Sequence, residues 1–330
     1  MIYAPVLITT MNRYECLKRC IKSLQRNSWA DQTELFISVD YPPTEKYVEE
    51  YKKVRSYLEN KIDGFKKVNV LFHDENLGAI NNAEWLRKLV CAKCNRYIFI
   101  EDDNELAPSF LEFCDKGLEL FENDDSVFAL NASDYVWCGN GYVPPVRRVH
   151  NNENNIEKRQ MVFHAVAYWE NKRTKSAQFC GRLEKNDGLL SWNDIKKLHQ
   201  KSTSLFYQYL AMVLFQREKL PWYKNKLYTI DFMHDLYMVL KDKYVICPIE
   251  PLQRDFGVDG NGVNYKEVFK NATELKEREW STDLHFEFRM KNQIKINNTE
   301  IELHDRNSNI SALSKAKMLF KYVKRIAHNL

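Results

Sequence analysis

The sequence predicts an α/β protein: a mostly parallel sheet covered by helices on both faces, followed by a C-terminal helical extension. Three observations carry that prediction. Short runs of β-branched and aromatic residues alternate with longer segments whose apolar residues recur at helical spacing. The runs are almost continuously apolar, as strands buried on both faces are. Polar and acidic residues gather directly after the runs, at the carboxyl ends where parallel sheets bind ligands.

Residues 5–10 (PVLITT) read as the first strand, and Leu17, Cys20, Ile21 and Leu24 then mark one face of a helix dotted with Lys and Arg. Residues 34–40 (ELFISVD) form a second strand, 45–62 a charged helix and 68–73 a third strand. Ala79, Ala83, Leu86, Leu89 and Val90 give another apolar helical face before the run at 96–103. Residues 109–121 return to helix and 127–131 to strand. Between 137 and 173 the chain becomes irregular, with Gly139, Gly141, Pro144, Pro145 and a cluster of Asn151, Asn152, Asn154 and Asn155. This reads as a long loop, and loops of that length near a ligand rim are often lids. Within it, 161–169 (MVFHAVAYW) regains strand character, and His164 is read as a core residue. Residues 229–247 read as an acid-led helix followed by a strand, and 253–262 as a glycine-rich loop through Gly257, Gly260 and Gly262 that can approach a ligand closely.

The most informative point is the end of the fourth run, Tyr97-Ile98-Phe99-Ile100-Glu101-Asp102-Asp103. A buried strand cannot end in three carboxylates unless positive charge meets them. Hard divalent cations suit this chemistry: Mg²⁺ or Mn²⁺ takes one or two carboxylates and fills its remaining positions with water and phosphate oxygens. The plainer alternative is that Asp103 or Asn104 caps the helix opened near Pro108, with Glu105 at its positive end. No G-x-G-x-x-G turn and no G-x-x-x-x-G-K-[ST] loop follows the first strand, which runs into Thr9-Thr10-Met11-Asn12-Arg13. Phosphate is therefore not cradled by a glycine loop there.

Taken in order, PVLITTMNR, ELFISVD, ENLGAINNAEWL and YIFIEDDNELAPSFLEF resemble the GT-A nucleotide-sugar glycosyltransferases, nearest to the group around N-acetylglucosaminyltransferase I and its bacterial relatives in surface polysaccharide synthesis. The likeness spans residues 4–265 and is strongest in the first half. It implies a GT-A type, Rossmann-like catalytic domain over 1–270, with a nucleotide-binding half (1–135) and an acceptor half (136–270), and a polar connector plus basic amphipathic helix over 271–330. It places Thr10, Asn12, Arg13 and Asp40 at the donor nucleotide, Asp40 accepting from uracil, with Asn82 near the base. Asp102 would contact the ribose, Glu101 the sugar or ribose, and Asp103 the Mn²⁺ or Mg²⁺ ion that bridges the phosphates. Arg254 in the glycine-bearing loop would add positive charge over the diphosphate, and Asp231 would be the base of an inverting transfer, with Asp235 one turn on as its rival. The implied partners are a nucleotide-sugar donor and a saccharide acceptor, conceivably linked to polyprenyl diphosphate.

Composition narrows the alternatives. A net charge of +4 without a clustered basic module argues against nucleic acid as a partner. Eight cysteines include Cys91 and Cys94 in an isolated C-x-x-C and Cys16 and Cys20 one helical turn apart; with no second pair at zinc spacing they read as reduced thiols. Met1 leads almost directly into a strand and no apolar stretch is long enough to span a bilayer, so the expected location is cytoplasmic. In the tail, Leu313, Ala316, Leu319, Phe320, Val323 and Ile326 recur at helical spacing among Lys315, Lys317, Lys321, Lys324 and Arg325. Such a helix over 311–330 either lies on an anionic membrane or packs on the catalytic domain or on a second copy in a homodimer. Two other classes share parts of this pattern: a sugar nucleotidyltransferase, whose arginine-bearing glycine loop is missing at 9–13, and a non-catalytic carbohydrate-binding scaffold.

Overall fold

In a computed structural model, residues 1–133, 136–137, 142–143, 154–160, 165–186, 188–215, 230–257, 276–277, 279–291, 293–296, 298 and 311–329 are described. The apolar runs become strands β1 (Val6–Thr10), β2 (Glu34–Val39), β3 (Lys67–Phe72), β4 (Arg96–Glu101) and β6 (Val127–Asn131), with a short β5 (Asn104–Leu106) after the acidic triplet. The periodic segments become helices α1 (Tyr14–Gln25), α2 (Val48–Glu59), α3 (Ala79–Cys91) and α4 (Phe110–Leu120). The segment expected as one charged helix over 45–62 divides into a 3-10 turn, Glu45–Tyr47, and α2. Beyond β6 follow β7 (Val136–Trp137), β8 (Tyr142–Val143), β9 (Ile156–Arg159), β10 (Val166–Trp169), α5 (Glu170–Lys185), α6 (Trp192–Lys201), α7 (Thr203–Phe215), α8 (Ile230–Lys241), β11 (Tyr244–Pro248), β12 (Gln253–Asp255) and α9 (Ala312–Asn329).

Eight strands form one sheet in the order β3-β2-β1-β4-β10-β6-β11-β9. Neighbours are parallel except that β10 runs against β4 and β6, and β9 against β11. Side-chain alternation sorts the strands between two cores. Val6, Ile8, Leu35, Ile37, Val39, Ile98 and Ile100 face α1, α2 and α4, whereas Leu7, Tyr97, Phe128 and Tyr168 face α3 and α5–α9. The continuous apolarity of the runs follows from this double burial.

Two parts of the sheet depart from the expected loop. Within 137–173, β9 adds an edge strand, although its sequence, IEKR, carries little strand propensity; pairing with β11 and the buried Arg159–Glu157 ion pair at 2.6 Å override it. β7 and β8 pair as a small antiparallel ribbon. His164 lies outside the described residues.

The described part of the expected polar connector carries little regular structure, yet it is fastened to α4 and β9. Phe286 and Phe288 stack with Phe113, and the 279–296 stretch bridges to β9 at Lys158 and Ile296. Glu112 of α4 ties it down, accepting from His285 Nδ1 (2.8 Å), Phe286 N (3.1 Å), Lys116 Nζ (3.0 Å) and Ser28 Oγ (2.9 Å). Burial opposes its charge, but these donors hold the carboxyl down to about 2. Stability from a lowered carboxylate is present above its ordinary value and lost as pH falls toward the folded value, here the acid range between those two. Glu112→Ala should lower stability by about 1–3 kcal/mol, mainly by taking the acceptor from the buried Phe286 N–H and the half-buried Ser28 and Lys116 donors. Chemical denaturation and faster proteolysis within 279–296 would register it, and an unchanged unfolding midpoint would rule the clamp out.

Candidate active site

Three neighbouring strands bring their carboxyl ends into line. Thr9 sits opposite Glu101 and Thr10 opposite Val39, while Asp40 N donates to Thr10 O at 2.9 Å. The rim so formed holds Thr10, Arg13, Asp40 and the acidic triplet. Thr10 Oγ1 donates to Asp102 Oδ2 at 2.6 Å. Arg13, at the N-cap position of α1, donates through Nη1 to Asp103 Oδ2 at 2.5 Å and reaches Asp102 Oδ1 at 3.5 Å. Its Nη2 is buried and has no hydrogen-bond partner. Asn104 Nδ2 donates to Asp103 Oδ1 at 3.2 Å, and Asn104 Oδ1 accepts from Glu101 N. Asp102 and Asp103 are buried, Glu101 is exposed and Asn12 is half-buried.

The capping alternative fails on this geometry. β5 intervenes between the triplet and α4, the N-cap of α4 is Ser109, and Glu105 lies in β5 beside Arg26 at 3.4 Å.

A residue not singled out from the sequence joins the site. β12 pairs antiparallel with β5, matching Asp255 to Asn104 and Arg254 to Glu105. Phe256 N donates to Asp103 O at 2.9 Å, Gly257 N donates to Asp255 Oδ1 at 2.7 Å, and Asp255 is buried. A Cβ on Gly257 would lie 2.3 Å from Asp103 Oδ2 and 3.0 Å from Asp255 Oδ1, so both carboxylates converge on the same bare backbone. Strand alternation sends the neighbouring Arg254 to the opposite face, where its guanidinium stacks 4.4 Å from the Trp280 ring centroid. Arg254 is thus turned from the acidic rim, and Asp255 comes to it instead. Nothing along residues 253–255 signals this in the sequence, because three residues are too few to display strand periodicity.

Charge is crowded here. Burial pushes the Asp102 carboxyl up to about 6, against the opposing pull of Arg13 and the Thr10 hydroxyl. Burial, then Asp255 and Glu101, pushes Asp103 up well beyond the ordinary carboxylate range. Burial also works against the Arg13 charge, but Asp103 and Asp102 outweigh it and keep the guanidinium firmly protonated. Asp102 and Asp103 thus share one guanidinium, and Asp255 and Glu101 add negative charge beside Asp103. Among the described residues no set of three or more His, Cys, Asp or Glu is arranged to hold a metal. Asp103 and Asp255 are carboxylates of the kind that Mg²⁺ or Mn²⁺ takes, one or two at a time, beside phosphate and water.

Two other rim residues do structural work. Asp40 Oδ1 accepts from Tyr41 N (3.0 Å) and Leu77 N (2.8 Å), and Oδ2 from Gly78 N (2.9 Å) and Asn76 Nδ2 (3.2 Å), pinning the turn that starts α3. Gly78 sits there at φ 78, a left-handed conformation that suits glycine. Asn82, 1% exposed, accepts from Ser38 Oγ at 2.5 Å, and that hydroxyl also meets His73 Nε2 at 2.9 Å. Asn82 is a buried strap between α3 and β2.

Asp231 falls in the first turn of α8, but its side chain is outside the described residues. Asp235, one turn on, does not face solvent as a free helix face would: every residue from 232 to 240 is buried. The described cysteines form no disulfide.

The family model described as glycosyl transferase family 2 matches residues 6–181, just over half of the 330-residue chain. No curated protein shows a match. Among solved structures, S. aureus TarS 1–349 in complex with UDP is 15% identical with a TM-score of 0.33, over 63% of this chain and 56% of that one. S. aureus TarS is 14% identical with a TM-score of 0.33, over 53% and 30% respectively. The WbbM bifunctional glycosyltransferase, in its apo structure, is 12% identical with a TM-score of 0.32, over 73% and 38%. The chain thus spans 30% to 56% of the length of these chains.

Proposed function

Because the chain belongs to glycosyl transferase family 2, we propose that it moves a sugar from a nucleotide-sugar donor, a UDP-sugar, to a saccharide hydroxyl during assembly of a bacterial capsule, O-antigen or exopolysaccharide. Membership selects a transferase over the nucleotidyltransferase and the non-catalytic scaffold that the sequence alone left open. The observation that carries the donor site is the convergence of buried Asp102 and Asp103 on Arg13 at the carboxyl ends of β1 and β4, with buried Asp255 beside Asp103.

In this reading Asp103, with Asp255 beside it, holds Mn²⁺ or Mg²⁺, which when bound neutralises the charge gathering on the departing diphosphate. Arg13 supplies its spare Nη2 donor to a diphosphate oxygen. Asp102, steadied by the Thr10 hydroxyl, accepts from the ribose, with Glu101 near the sugar and Asn12 at the edge of the pocket. Asp40 shapes the base side through the turn it pins. Asp231 takes the acceptor hydroxyl proton as that oxygen attacks the anomeric carbon from the face opposite the diphosphate, which inverts configuration. The burial of Asp235 favours Asp231 for that role. The acceptor is a sugar chain carried on polyprenyl diphosphate. Retained anomeric configuration in the product, read by NMR, would remove both inversion and the base.

A thermal-shift panel of nucleoside diphosphates and nucleotide sugars, with and without Mn²⁺, tests the donor site. Uridine compounds should raise the midpoint only with the cation, by mass action. No shift with any nucleotide in folded protein would refute it.

A further inference from the structure

The apolar stripe recognised in the tail sequence is not the face by which α9 docks. α9 packs on α7 through Met318 and Tyr322, which are 6% and 2% exposed. Tyr322 Oη lies 2.8 Å from Tyr209 Oη, and the Tyr209 hydroxyl donates in turn to Gly188 O at 2.9 Å. Lys315 leans 5.1 Å from the Tyr207 ring on the same side. At about 100° per residue, Met318 and Tyr322 point about 160° from Phe320 and about 100–160° from Ala316 and Val323, and Leu319 lies at the border, about 60° from Tyr322. Those residues remain outside: Phe320 is 72% exposed, Val323 50% and Leu319 39%. Exposed Lys317, Lys321 and Lys324 run along one border of this stripe.

We infer that this second face of α9 seats the protein on an anionic lipid surface, with Leu319, Phe320 and Val323 entering the head-group boundary and the lysines meeting lipid phosphates. Charge decides the occupant. Residues 311–330 carry five basic and no acidic side chains. Two copies joined through this stripe would bring lysine borders together with nothing acidic on either helix to meet them, whereas an anionic bilayer supplies both apolar depth and opposite charge. Among the described residues no helix is long and apolar enough to cross a membrane, so the contact lies in the plane of the interface. The inference rests on the proposed function only for its purpose, bringing the site to a lipid-carried acceptor.

Flotation of the full chain with phosphatidylcholine vesicles, alone or mixed with phosphatidylglycerol, tests it without reference to nucleotide. Binding should require the anionic lipid and weaken as salt is raised. Phe320→Ser should weaken it at least tenfold with an unchanged melting temperature, because that side chain is exposed, and the triple change Lys317→Glu, Lys321→Glu, Lys324→Glu should abolish it. A chain that stays unbound, or a dimer in sedimentation velocity that Phe320→Ser dissociates, would overturn the inference. The uridine and Mn²⁺ thermal shift, run on the same protein, reports separately on the donor site.

Discussion

Asp103→Asn is expected to abolish cation-dependent nucleotide binding and to cut sugar transfer by a factor of about 10³ or more, without lowering the melting temperature at neutral pH. The two effects diverge because the carboxylate is an electrostatic burden until a cation arrives. Burial, Asp255 and Glu101 hold its pKa above the ordinary value, and Arg13 offsets only part of that. A raised carboxylate binds more protons in the folded than in the unfolded chain, so stability falls as pH climbs through the window from its ordinary value to its folded one. A neutral asparagine escapes that loss. The melting temperature of the variant relative to wild type should therefore improve as pH rises above the ordinary carboxylate value, while Mn²⁺ and a uridine nucleotide no longer shift it. A variant that melts lower at every pH yet keeps its nucleotide shift would make Asp103 a structural residue.

Gly257→Ala is the second large effect, because one methyl enters the space between the two carboxylates. At 2.3 Å from Asp103 Oδ2 and 3.0 Å from Asp255 Oδ1, the added Cβ is closer than atoms tolerate. Neither neighbour yields easily: Asp103 is held by Arg13 and Asn104, and the loop is held by the Phe256 N–H on Asp103 O and by Arg19 stacked 3.9 Å from the Phe256 ring. Overpacking of this kind costs about 1–3 kcal/mol, and displacement of the carboxylate should weaken the cation-dependent nucleotide affinity about tenfold or more. Gly181→Ala is the matched control. It lies within α5, its Cβ would meet nothing within 4 Å, and helix propensity predicts a gain of about 0.5–1 kcal/mol. Equal behaviour of the two variants would show that Gly257 matters only as a loop glycine.

Much of this architecture was legible in one dimension. Double burial wrote itself into continuous apolar runs such as Tyr97 to Ile100, and helices α1, α3 and α4 followed from apolar spacing. The ribbon of β5 with β12 was not legible, because three-residue strands carry no periodicity of their own. For the same reason the charge of Arg254 stands out in a loop reading of the sequence, while the alternation that turns it toward Trp280 exists only once the strand has paired. Hydrogen bonds set by distant turns engage Asp40 and Asn82 in holding α3, which the sequence does not display.

The sequence by itself determined strands β1–β4 and β6, helices α1–α4, the rim of polar residues and the acidic strand end, since hydrophobic periodicity and strand-terminal charge are properties of neighbouring residues. Tertiary structure alone decided that Asp255 meets Asp103 across some 150 positions, that β9 joins an edge and that α9 docks by Met318 and Tyr322 rather than by its longer apolar stripe. Each of those outcomes depends on a partner surface elsewhere in the chain, and the free energy of covering a surface belongs to the pair and not to either member.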